Sequence, residues 1–92
     1  MVRIWGVLKN RDRILQDTVA TFDGSDLPEL QDVVDTLCQL LDIPRPVLLS
    51  KHEKEYQNFA RTRFSADDFI ESVSFKQFEL EFLKDKTKQR RT

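Results

Sequence analysis

The sequence predicts a small α+β domain: an N-terminal β-hairpin, two or three helices, and a C-terminal strand completing a small antiparallel or mixed sheet with helices on one face. Three observations carry this reading. Residues 2–22 are rich in β-branched and apolar side chains on either side of the polar Asn10-Arg11-Asp12. Residues 27–41 place leucines and valines at spacings of three and four, and Phe78, Leu80 and Phe82 alternate with Gln77, Glu79 and Glu81. A chain of 92 residues makes one domain with a single core, because domains of roughly 100 to 150 residues are the commonest size. Residues 1–83 are expected to form that domain. The tail 84–92 has no apolar residue and a basic bias, so it is expected to be disordered.

Each element has its own local reason. Val2 to Lys9 and Arg13 to Phe22 are the hairpin strands, joined by a short polar connection. Gly6 inside the first strand predicts a bulge or the close approach of another group, the neighbouring Trp5 ring being one candidate. Apolar residues fall on both faces of the hairpin, so a cover is expected on each side. Asp26 is read as a helix cap, with Pro28 in the first turn and Glu29 completing a capping box. Leu27, Leu30, Val34, Leu37 and Leu41 then form the apolar stripe of a helix of about four turns, which Ile43 ends because the residue before Pro44 avoids helical angles.

The Pro44-Arg45-Pro46 segment should be extended, and Ser50 is read as the cap of a second helix, Lys51 to Ala60, with Glu53 in the capping-box position. Whether Val47 to Leu49 form a short strand is open from sequence. Arg61 to Phe64 reads as a junction between helices, after which Ser65 and Asp68 give a third cap signature opening a helical turn or two through Phe69 and Ile70. The expected sheet therefore has three strands.

Charge and composition narrow the function classes. The net charge is −1 at pH 7, but it is segregated: residues 17–44 hold seven acids and no lysine or arginine, whereas residues 84–91 hold five basic residues against Asp85 alone. Such asymmetry bears on partners and steering, not on fold. The single cysteine, Cys38, excludes an intramolecular disulfide, and with one histidine, His52, the chain lacks the roughly four ligands of a structural zinc site. Neither a signal-peptide core nor the ~20 apolar residues of a membrane span is visible, so a cytoplasmic setting is expected and no membrane partner.

No catalytic, cofactor-binding or metal-binding pattern stands out, and nothing favours an enzyme. His52 is expected to be an exposed helix residue and Cys38 a core residue. Asp67, Asp68 and Glu71 have spacings that could share a divalent ion, but spacing alone is weak, and the Asp23 to Asp26 turn lacks the further ligands of a calcium loop. The candidate binding residues are Arg61, Arg63 and Phe64 at the junction and Glu29, Asp32 and Asp35 on the acidic helix face. Arg61 and Arg63 either complement the end of the second helix, balanced by Asp67 and Asp68, or bind an anion near Ser65. Phe64 is read as a core anchor.

With Arg3 to Gly6 (RIWG), Leu41 to Pro46 (LDIPRP) and Arg61 to Glu71 (RTRFSADDFIE) in view, the chain resembles a group of short uncharacterised proteins from anaerobic Gram-positive bacteria. The resemblance covers most of the chain, implies a bacterial cytoplasmic setting and carries over no functional residue. The expectation is a small non-enzymatic protein-binding module. The alternative is nucleic-acid or anion binding through Arg61, Arg63 and the basic tail, which the absence of interleaved aromatics and of any RNA-binding signature does not favour.

Overall fold

Val2–Asn10 (β1) and Arg13–Phe22 (β2) form the expected hairpin in the computed structural model, which describes residues 1–83. Then come α1 (Leu30–Leu41), α2 (Ser50–Phe59), β3 (Arg61–Ser65), a 3₁₀ turn (Ala66–Asp68) and β4 (Gln77–Leu83). The four strands make one antiparallel sheet in the order β2-β1-β4-β3. The sheet thus has one strand more than the sequence reading allowed, because Arg61 to Ser65 is an edge strand and not a helix junction. No helix among the described residues is long and apolar enough to cross a membrane.

Both helices pack on one face of the sheet. Ile4, Leu8, Ala20, Phe64, Phe78 and Leu80 point into the same buried cluster as Leu30, Val33, Val34, Leu37 and Leu41 of α1 and Tyr56 of α2. Cys38 lies in that core, as its leucine neighbours predict. Gly6 is there for close approach, but the group approaching is Leu37 and not Trp5: a Cβ on Gly6 would stand 2.9 Å from Leu37 Cδ2. The hairpin's irregularity falls instead between Leu8 and Lys9, where the register passes from Gln16 to Ile14 and leaves Leu15 as the extra residue.

The helix ends differ from the sequence reading in instructive ways. The box from Asp26 to Glu29 does not form; α1 begins at Leu30 with Glu29 as its N-cap and no side-chain cap. The Pro28 carbonyl is instead taken by the Tyr56 hydroxyl at 2.6 Å. At the other end Asp42, and not Ile43, stops the helix by turning left-handed at φ 57°. In α2 the N-cap is Leu49, not Ser50, and the residue reaching back is His52, not Glu53: its Nδ1 accepts the Leu49 N–H at 3.0 Å. His52 is accordingly buried, 1% exposed, and not a surface residue. The Ser65–Asp68 box does form, Asp68 Oδ2 accepting the Ser65 N–H at 2.9 Å, but it opens only one 3₁₀ turn. Val47 to Leu49 form no strand. The expected disordered basic tail lies outside the described residues.

Candidate binding edge

β3 follows α2 without a loop, because Ala60 turns left-handed at φ 58° and closes the helix by donating its N–H to the Tyr56 carbonyl at 2.9 Å. The strand then alternates: Thr62 and Phe64 are buried, and Arg61, Arg63 and Ser65 are exposed. Phe64 is fully buried, its ring stacked on Phe78 at 5.7 Å and tilted on His52 at 4.2 Å. It anchors the strand and offers no ring to a partner. Thr62 is held by its hydroxyl, which donates to Glu55 Oε1 of α2 at 2.8 Å.

The flanking hydrogen bonds set the phase of the β3–β4 ladder. Phe82 N–H donates to the Ala60 carbonyl at 2.8 Å, and Ala66 N–H donates to the Lys76 carbonyl at 3.0 Å. Between them Thr62 pairs with Leu80 and Phe64 with Phe78, so the even-numbered residues bond to β4. In an antiparallel ladder the intervening residues turn their backbone groups the other way. The N–H and C=O of Arg61 and Arg63 therefore point outward from the sheet, and among the described residues no strand pairs with them. The Ser65 N–H also points outward but is already held by Asp68.

The side chains of Arg61 and Arg63 lie on the sheet face opposite the helices. Across β4 they stand beside Glu81 and Glu79, the next strand in carries Arg3 and Lys9, and the outermost carries Asp17. In the rows of Glu81 and Glu79 the β1 residues are Trp5 and Val7, while Arg3 and Lys9 pair with Leu83 and Gln77, so the regular opposition of charges is confined to β3 and β4. Lys9 and Glu79 close to 3.6 Å, and Trp5 Nε1–H donates to Asp17 Oδ2 at 2.9 Å. Neither Arg61 nor Arg63 forms an ion pair within 4.0 Å among the described residues.

Along the outer side of β3 run two depressions that share Glu55 and Arg63. The one toward Arg61 has a volume of about 340 Å³, reaches Phe59 and extends inward over Glu79 and Glu81 to Trp5; the other reaches Lys51 and Ser65. Lys51, Glu55 and Phe59 are spaced four apart and so form one ridge of α2, with Phe59 67% exposed at its end. A trough therefore follows the edge of β3, bounded by this ridge. Sequence reasoning found the two arginines here but missed the ridge and the backbone groups.

The other candidates are dispersed. Asp68 caps Ser65, and no ion pair joins Asp67 or Asp68 to Arg61 or Arg63 within 4.0 Å. Glu29 and Asp32 are exposed, but Asp35 is engaged by Arg45 Nε at 2.7 Å and by Gln31. These acids lie on α1 or at its N-cap, and α1 packs against β2, whereas the arginines neighbour α2. Among the described residues no group of three or more His, Cys, Asp or Glu is placed to hold a metal ion. Burial drives the Cys38 thiol up to about 12 despite Arg45 nearby, and burial likewise raises Tyr56. Burial lowers His52, with Asp68 opposing. Comparison with known proteins gives no match to a family model, a curated protein or a solved structure.

Proposed function

We propose that this chain is a small non-enzymatic protein-binding module that engages its partner along the β3–α2 trough, with Arg61 and Arg63 as the charged contacts. The observation that carries the reading is the union, on one exposed strand, of backbone groups and two guanidiniums that, among the described residues, have no strand partner and form no ion pair. Backbone groups of this kind are a template for another chain, and arginine suits directed contacts to carboxylates. The acidic residues Glu29, Asp32 and Asp35 provide a lesser surface, because Arg45 neutralises part of it. The bacterial cytoplasmic setting implied by the resemblance belongs to this proposal.

The experiment is site-specific photocrosslinking in a lysate of the source cells, with the photoreactive side chain at Phe59 and a control at Asp32. Protein adducts from position 59 that excess unlabelled chain competes away are the expected result. Adducts from position 32 alone would move the interface to α1, and adducts from neither would overturn the reading. A second reading, anion or nucleic-acid binding, is favoured by the same two exposed guanidiniums. It predicts nucleic-acid adducts at position 59 and an affinity that falls steeply with salt.

A further inference from the structure

We infer that the partner segment is an extended peptide with acidic residues at alternate positions, which joins the sheet as a fifth strand on the outer edge of β3. The inference rests on the protein-binding reading and adds the conformation and the charge pattern of what is bound. The backbone supplies the first half of the argument. Arg61 and Arg63 present outward N–H and C=O groups two residues apart on a regular strand, the arrangement that main-chain strand addition uses. The outer edge of β2 is the alternative, but it carries the bulge at Leu15, and bulges disrupt pairing.

Charge supplies the second half. On the open face Arg61 and Arg63 already stand across from Glu81 and Glu79 of β4, so opposite charges face each other over this last pair of strands. A strand added beyond β3 faces Arg61 and Arg63, and opposite charges directly across a ladder stabilise it while like charges oppose it. The same rule disfavours a second copy of β3 paired antiparallel about Thr62, which sets Arg61 against Arg63 twice over. Side chains alternate along a strand, so acids opposite the arginines leave the intervening positions turned toward the α2 side. There Phe59 offers an apolar surface and Glu55 is already engaged with Thr62. The bound segment is therefore acidic on the side facing the arginines and apolar where it meets Phe59.

The test uses the full chain and four fluorescent nine-residue peptides. One alternates Glu with Thr or Val, one has the same composition with its glutamates in a single block, one has Lys for Glu, and one is the alternating acidic peptide with methylated backbone nitrogens. Strand addition predicts that the first binds at least about tenfold tighter than each of the others, and that the Arg61 and Arg63 amides alone gain protection from hydrogen exchange. The double variant Arg61→Gln/Arg63→Gln, with an unchanged melting temperature, should lose about tenfold in affinity for it. Equal binding of the blocked or N-methylated peptide, protection on β2 instead, or no binding would each overturn the inference. If crosslinks from Phe59 persist in any of those cases, the protein-binding reading stands without it; if they vanish too, both fall.

Discussion

The Nε2 of His52 stands 3.4 Å from Oδ2 of Asp68, and this approach joins the first turn of α2 to the 3₁₀ turn that closes β3. Because His52 Nδ1 accepts the Leu49 N–H, the proton of the neutral ring sits on Nε2, which lies near the carboxylate without hydrogen-bonding to it. The same Asp68 oxygen accepts the Ser65 N–H at 2.9 Å. Two caps, one at the start of the ridge and one at the end of the edge strand, thus meet at a single buried ring.

This arrangement makes stability depend on pH in a defined direction. Burial lowers the His52 pKa in the fold, and Asp68 only partly offsets it. The unfolded chain then binds more protons than the fold between the folded value and the free value of about 6.5. The His52 contribution is complete above that free value and declines as pH falls through it toward the folded value. Melting temperature should fall between about pH 7 and pH 5.5, and a His52→Asn variant, whose amide can still cap Leu49, should lose that slope. An NMR titration of the ring checks it directly: a midpoint at or above the free value would refute the assignment.

Tyr56 fastens α2 to the segment before α1 through its 2.6 Å bond to the Pro28 carbonyl. Tyr56→Phe keeps the ring and removes the donor, so it should cost about 1 to 2 kcal/mol, the net value of a hydrogen bond plus the stranding of a partly buried acceptor. Urea unfolding with an unchanged slope is the measurement. A loss near zero would mean that water replaces the hydroxyl freely.

Where the sequence read correctly, one periodicity dominated: the hairpin, the leucine stripe of α1 and the Phe78-Leu80-Phe82 alternation each match a single template. β3 was missed because five residues of alternation are brief, and its last residue, Ser65, forms with Asp68 a strong helix-start cap signature. Thr62 and Phe64, a β-branched and an aromatic residue alternating with the arginines, were the local signs of a strand. The burial of His52 was not legible, because its neighbours Lys51 and Glu53 are charged and exposed, and only the three-dimensional approach of Phe64 and Asp68 encloses the ring. Arg61 and Arg63 were found as residues. Their outward backbone groups depend on the β3–β4 phase, which no local pattern encodes.

Cys38 should behave as a core side chain and not as a reactive thiol. It is 1% exposed, and burial raises its pKa to about 12, so the thiolate fraction near neutral pH is negligible. A thiol reagent at about pH 8, below even the ordinary thiol pKa of about 8.5, should leave the native protein unmodified and label it fully in denaturant. Rapid labelling of the native chain would contradict the packing of α1.

Gly6 and Leu37 pack sheet against helix with no room for a side chain between them. A Cβ at position 6 would lie 2.9 Å from Leu37 Cδ2, 3.0 Å from Cδ1 and 3.3 Å from Cγ, and Leu37 is itself fully buried, so it has no free space to enter. Alanine would otherwise be favoured over glycine in a strand by about 0.5 to 1 kcal/mol, while overpacking a core costs about 1 to 3 kcal/mol. Gly6→Ala should therefore destabilise by about 1 kcal/mol net. Leu37→Val shortens the side chain at the point of collision, so the two changes together should cost less than their sum by about 1 kcal/mol in a double-mutant cycle. Additive losses would show that the clash is relieved elsewhere. A Gly6→Ala variant as stable as the parent would mean that α1 can shift off the sheet without loss, which a helix held by Leu30, Val33, Val34, Leu37 and Leu41 in one core should not do.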